Sequence, residues 1–218
     1  MARRPAGKAS NRRVFVHSRR AVRLAIAAGG CFAVALLLAN VGVPEYSHRV
    51  HPVALRGTAG LPWALAFNLL AFVLPGALLA TAGLTLRASL HDAGWAARIG
   101  IVIAQLSALA FAAQGLLPLD PGDADSHASR LHVMTWMLWW IAFVPGALLL
   151  AAGARRGVGF ALGSIVIAAL VPVIAVLAPI GLWVGIAQRL AFVLWFAWWL
   201  IASRASVSGP GSSTTAGR

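Results

Sequence analysis

Acidic side chains are scarce here: five Asp and Glu stand among 218 residues, and charged residues of all types make up only 11%. A soluble domain of this length covers itself with far more charge, so a soluble globular fold is excluded. The single cysteine, Cys31, excludes an intrachain disulfide framework, and its place inside the first apolar run reads as a small hydrophobe rather than a redox group. No Asp, Glu, Lys or Arg falls in the middle of any long apolar run, which argues against proton coupling through a midplane carboxylate.

What is abundant is apolar. Hydrophobic residues make up 60% of the chain, in runs at roughly 22–42, 61–86, 98–117, 132–153, 158–178 and 183–203. Each is near the ~20 residues that cross a hydrocarbon core of about 30 Å. The expected fold is all-α, a polytopic membrane bundle of six transmembrane helices. No charge occurs between Gly157 and Gln188, so the last division rests on Pro172 and on the break offered by residues 179–181. Counting back from Arg204 places Arg189 one or two turns inside the sixth helix. The expected organisation is a disordered basic arm over 1–20, a six-helix domain over 21–203 and a disordered Gly/Ser/Thr-rich tail over 204–218. "SRRAVRL" (Ser18 to Leu24) has a twin-arginine look, yet no small-x-small cleavage site follows and further spans do.

The net charge of +13 lies in short basic clusters between apolar runs, the pattern of topology determinants rather than of a nucleic-acid footprint. With the N-terminus inside, fourteen basic residues fall on the inner side. Four (Arg49, Arg56, Arg130, Arg189) fall outside. Both termini are therefore expected in the cytoplasm. "PGALLATAG" (Pro75 to Gly83) and "PGALLLAAG" (Pro145 to Gly153) match at seven of nine positions. The match suggests that spans 2–3 and 4–5 are parallel copies of one hairpin, with proline kinking each helix and glycine admitting a close neighbour.

"GTAGLPWALAFNLLAFVLPGALL" (Gly57 to Leu79), then "GLLPLD" (Gly115 to Asp120) and His132, resemble a prokaryotic six-helix membrane family known as domain of unknown function 998. The resemblance covers about residues 25 to 203. Where that family often has Phe before Pro-x-Asp, this chain has Leu117. It implies six helices and an integral membrane location, and no activity.

Three of the five acids and two of the six histidines gather between Gly115 and His132, in an outward loop. Asp120, His127 and His132 are candidate ligands of a divalent metal, joined by Asp123, Asp125 and by His48 or His51 from the first outer loop. "DPGDAD" lacks the sixth-position glycine and distal glutamate of a calcium loop. The simpler reading is a solvated turn, with Asp and Ser capping the fourth span. Asp120 and His132 are also the catalytic candidates of a membrane-embedded metal-dependent hydrolase acting on lipid. That reading lacks paired histidines at i and i+4 and a well-placed serine. Candidate ligand-binding residues are Asn68, Gln105 and Arg189; interhelical hydrogen bonding competes for the first two, and pairing with Asp120 or snorkelling to a lipid phosphate for the third.

"WMLWW" (Trp136 to Trp140) and "WFAWW" (Trp195 to Trp199) set tryptophans at i, i+3 and i+4, which reads as anchoring at opposite interfaces. A haem or quinone pocket is the sharper alternative, without a partner for His132 as axial ligand. The expectation for function is an integral membrane protein that binds or moves a small or lipidic molecule; hydrolase and scaffold or regulator are the alternatives. No cofactor is required, a divalent metal is compatible, membrane lipids are the expected partners, and no nucleic acid is expected.

Overall fold

The computed structural model describes residues 6–91, 93–123, 125–154, 156–177 and 183–205, with side-chain detail from Arg19 onward. The expected break at residues 179–181 and the tail over 206–218 lie outside the described residues, as do residues 1–5. Among the described residues every regular element is a helix. In order they are α1 (Ala6–Leu37), α2 (Val53–Arg56), α3 (Ala64–Asn68), a π-helical stretch (Leu69–Val73), α4 (Leu74–Ser89), α5 (Trp95–Leu116), α6 (His127–Gly153), α7 (Val158–Pro172), a second π-helical stretch (Val173–Leu177) and α8 (Val184–Ala205).

Among the described residues, six helices are long and apolar enough to cross a membrane: Arg19–Leu37, Ala64–Ser89, Trp95–Leu116, His127–Gly153, Val158–Leu177 and Val184–Ala205. This is a multi-pass membrane architecture, and each span matches an apolar run of the sequence within a few residues. Two ends result. One carries the start of α1, the α4–α5 and α6–α7 connections and the end of α8, and is here called the basic end. The other, the loop end, carries residues 38–63, 117–126 and 183.

Two boundaries and the behaviour of the matched prolines differ from expectation. The helix of the first span continues back through the basic segment to Ala6, whose Ala, Arg and Lys favour helix once a span nucleates it. α6 starts at His127 and puts His132 more than a turn inside the span rather than at its edge. The matched prolines also behave differently. Pro75 has no N–H for the carbonyl of Ala71, and the ladder widens to a π-helix just before it, whereas Pro145 sits within an unbroken α6.

Small residues set the packing. A Cβ on Gly76 would lie 2.6 Å from the Ala108 carbonyl oxygen, and one on Gly83 would run into the Gln105 side chain, so α4 lies directly on α5. A Cβ on Gly146 would lie 2.7 Å from the Ala104 nitrogen, and one on Gly153 would strike the Ala97 backbone, so α6 lies on an adjoining stripe of the same helix. Backbones in such contact associate through van der Waals packing where lipid offers no hydrophobic drive. This geometry overturns the reading of two parallel hairpin copies. Gly76 and Gly83 face the helix that follows them, while Gly146 and Gly153 face the helix that precedes them.

The tryptophan stripes are core, not anchors. Trp139, Trp195, Trp198 and Trp199 are each 0% exposed. Trp139 and Trp195 are 5.8 Å apart, so the two motifs meet at one depth, packed around Phe111 and Phe192. Spacing places three rings on one face, but which face meets protein depends on the neighbouring helices. Trp198 donates to the Ser164 hydroxyl at 3.1 Å. At the basic end, Arg156 is half-buried, with its Nη1 donating to the Ala202 carbonyl at 2.8 Å and its guanidinium over Phe160. Desolvation pulls its pKa down to about 10, still above neutrality.

Candidate functional site

The polar groups of the loop end are organised by the 38–63 segment, which folds back over the bundle. Asn40 donates to the Tyr46 carbonyl at 2.5 Å, and the Ser47 amide donates to His51 Nδ1 at 3.1 Å. The amides of Gly185 and Ile186 donate to the Arg49 carbonyl at 3.0 and 3.3 Å, so the loop caps the first turn of α8. Gly185 is required there, because a Cβ would meet the carbonyl oxygens of His48, His51 and Arg49 at 2.6 to 2.8 Å. The Val53 amide donates to Gln188 at 2.6 Å.

Two arginines close the arrangement. Arg189 lies just over one turn inside α8, at the depth the sequence indicates. Its Nη1 donates to the carbonyls of His51 and Gly185 at 3.0 and 2.7 Å, and its Nη2 to the Tyr46 hydroxyl at 2.7 Å. It therefore pairs neither with Asp120 nor with lipid through these donors; the loop satisfies them. Arg56, at the end of the four-residue α2, is 1% exposed. Its Nε donates to the Ala39 carbonyl at 2.6 Å and its Nη2 to the Val41 carbonyl at 3.0 Å, while Nη1 is sealed from solvent with no acceptor. Among the described residues no carboxylate pairs with either guanidinium.

Arg56 stands at one wall of a cleft of about 240 Å³ between the end of α1 and the start of the second span. The other walls are apolar, including Leu38, Val41, Phe67 and Leu70. Trp63 stands at its rim, 72% exposed, with φ of 60°, a left-handed conformation that costs a non-glycine residue about 1–2 kcal/mol. Asn68, a predicted ligand contact, donates to the Gly57 carbonyl at 2.8 Å and secures α2 against α3. Gln105, the second, donates to the Ala80 carbonyl at 3.0 Å and joins α5 to α4. Both make the interhelical type of bond that competes with ligand contact.

The acidic loop is built as turns. Asp120 accepts from the Gly122 amide at 3.0 Å and Asp123 from the Asp125 amide at 2.9 Å. Ser126 caps α6, as its position before the fourth span suggests, accepting from the Ser129 amide at 3.2 Å. Ser129, 1% exposed and not singled out in the sequence, donates through its hydroxyl toward the carbonyls of Asp120 and Asp123. The His132 ring Nδ1 is 2.8 Å from the Leu117 carbonyl. Among the described residues no three His, Cys, Asp or Glu side chains gather in a way that could hold a metal, so Asp120, His127 and His132 are not brought together. Ser129→Ala is expected to free the two carbonyls and the Asp120 amide while leaving the α6 cap, which uses the Ser129 backbone amide, in place, losing about 1–3 kcal/mol of unfolding free energy in a denaturant titration.

Sequence reasoning missed Tyr46, Arg56 and Gln188. Arg56 alone left a trace, as a basic residue between two apolar runs, and it counted only toward topology. Burial raises the Tyr46 pKa, with Arg189 opposing, while burial and the Arg189 charge lower that of His48 from 6.5. A folded state holding His48 neutral binds fewer protons than the unfolded chain just below pH 6.5. Stability should thus be present above that value and decline as pH falls through it. Thermal unfolding between pH 7 and 5 is expected to show a steeper loss for wild type than for His48→Gln.

Fold and loop end together define a six-span helical membrane protein with a cationic, apolar-walled cleft at one end. Compared with protein-family models, curated proteins and solved structures, the chain matches none.

Proposed function

We propose that the protein binds an amphiphile with an anionic head and an apolar body in the cleft beside Arg56, without chemical conversion. One observation carries the reading: Arg56, 1% exposed and with no carboxylate partner among the described residues, lines a 240 Å³ apolar-walled cleft, and its Nη1, closed off from solvent and without an acceptor, becomes a donor to a head group once a cleft-wall side chain shifts. A buried cation without a counterion favours an anion strongly in a medium of low dielectric. The surrounding Leu, Val and Phe suit an acyl chain or ring. Binding is favoured over hydrolysis because Asp120 and His132 are engaged separately with loop backbone.

In this reading the basic end faces the cytoplasm of a prokaryotic inner membrane, following its excess of Arg and Lys, and the cleft lies in the outer leaflet. Membership of the six-helix family of unknown function, domain 998, belongs to the same proposal and rests on the Gly-x-Pro-Trp and Pro-x-Asp motifs.

The test is lipid mass spectrometry on protein purified in mild detergent. Wild type should retain an anionic amphiphile, and Arg56→Gln and the cleft-filling Ala66→Phe should each retain about tenfold less. Equal retention by Ala66→Phe would remove the cleft from consideration. Stoichiometric metal in wild type that disappears in both Asp120→Ala and His132→Ala would overturn the reading in favour of a hydrolase.

A further inference from the structure

A second groove lies at the opposite end of the bundle and has no part in the reading above. It has a volume of about 370 Å³ and is lined by Arg87, Trp95, Arg98, Ile99 and Val102. Arg87 sits in the last turn of α4 and Arg98 in the first turn of α5, so the short connection between these spans brings two cations to one rim. Trp95, Arg98, Ile99 and Val102 follow the spacing i, i+3, i+4, i+7 and form one stripe of α5. That stripe faces away from the bundle, with Trp95 71%, Ile99 45% and Val102 43% exposed.

We propose that this groove is a binding site for one anionic phospholipid of the leaflet at the basic end. The order of groups along the groove matches such a molecule from head to tail. Two guanidiniums at the rim present forked donors that suit the oxygens of a phosphate. Trp95 stands at the same level, where an indole with one polar and one apolar edge lies among head groups. Ile99 and Val102 follow one turn and two turns deeper and meet the first acyl carbons.

The electrostatics of α5 point the same way. Its first turn holds no acid and its N-cap, Gly94, makes no side-chain capping bond, yet Arg98 adds a positive charge to the positive end of the helix. An anion at the rim relieves that repulsion. Asp92, in the connection, lies outside the described residues; even with its charge counted, the two arginines leave the rim positive. A soluble acidic partner would meet the cations but leave Ile99 and Val102 uncovered, so the occupant is a lipid.

The experiment uses the full chain in mild detergent, titrated with phosphatidylglycerol or phosphatidylcholine and read by native mass spectrometry and thermal unfolding. The Arg87→Gln/Arg98→Gln double variant should bind phosphatidylglycerol about 10- to 30-fold more weakly than wild type, with phosphatidylcholine unchanged. Arg130→Gln/Arg204→Gln, which removes the same charge away from the groove, should stay within about threefold of wild type. Arg87→Lys/Arg98→Lys should fall between, because charge remains while the forked geometry is lost. Equal weakening in the two glutamine pairs would overturn the proposal in favour of general charge attraction. Full competition by inorganic phosphate would overturn it in favour of a free-anion site. Both outcomes are independent of the cleft beside Arg56, which Ala66→Phe reports separately.

Discussion

Gly146→Ala is expected to lower the unfolding free energy by about 1–3 kcal/mol, and Gly146→Leu by more, in a denaturant or steric-trapping titration of the detergent-solubilised protein. The added Cβ would lie 2.7 Å from the Ala104 nitrogen and 3.1 Å from the Gly100 carbonyl oxygen. Both are backbone atoms of α5, which cannot turn aside as a flexible side chain does. The helices must separate, and the Ser107 hydroxyl then loses its 2.7 Å bond to the Trp139 carbonyl in the same interface. Gly100→Ala should behave alike, since its Cβ would lie 2.5 Å from the Leu150 nitrogen.

The sign should reverse elsewhere. Gly163, within α7, has nothing within 4 Å of its Cβ position, so Gly163→Ala should be neutral or stabilising by up to about 1 kcal/mol through helix propensity alone. If the close-packed and open glycines respond equally, the packing described for α5 and α6 is wrong.

Arg56→Met should cost about 3 kcal/mol, although it keeps an unbranched side chain of similar length. The guanidinium holds two carbonyls, those of Ala39 and Val41, where α1 gives way to the 38–63 segment. Hydrogen bonds from a charged donor contribute about 1.5–3 kcal/mol each, and a buried carbonyl left without a donor keeps its desolvation penalty. Arg56→Lys should recover little, because an ammonium is a compact point charge and cannot span both acceptors as the planar fork does. The loss should spread along the segment as faster amide exchange at residues 39–58, since Asn68 holds Gly57 and Gln188 holds Val53 in the same fold-back. Unchanged exchange in Arg56→Met would show that the segment folds without the guanidinium.

The contrast between Arg56 and Arg189 shows how much of the site could be read from the residues. Arg189 interrupts a long uncharged run, so its depth in the last helix follows from counting, and its need for partners follows from the cost of a charge there. Its partners could not be read, because Tyr46 and His51 lie more than 130 residues away in a loop. Arg56 sits among turn-forming residues between two spans, where a basic residue is normally solvated. Only the fold-back of 38–63 onto α8 buries it.

The acidic loop is the converse case. Its local chemistry, Asp and Ser forming turns and a cap, was legible and is what the structure contains. The metal constellation required convergence in space, and the backbone engages Asp120 and His132 separately.

Composition and length alone determined that this is a multi-pass membrane protein whose described residues form only helices, six of them long and apolar enough to span. Backbone hydrogen bonds in a bilayer must be satisfied within each segment, and that demand depends on local sequence only. Tertiary structure decided which face of each helix meets another. It turned two tryptophan stripes from interface anchors into one buried cluster. It set the four matched glycines against a single helix instead of against two. It made a topology-marking arginine the wall of a cleft. The period of a pattern defines a face, but the choice between lipid and protein for that face is made by the small residues of the neighbouring helices and by how closely they let backbones approach.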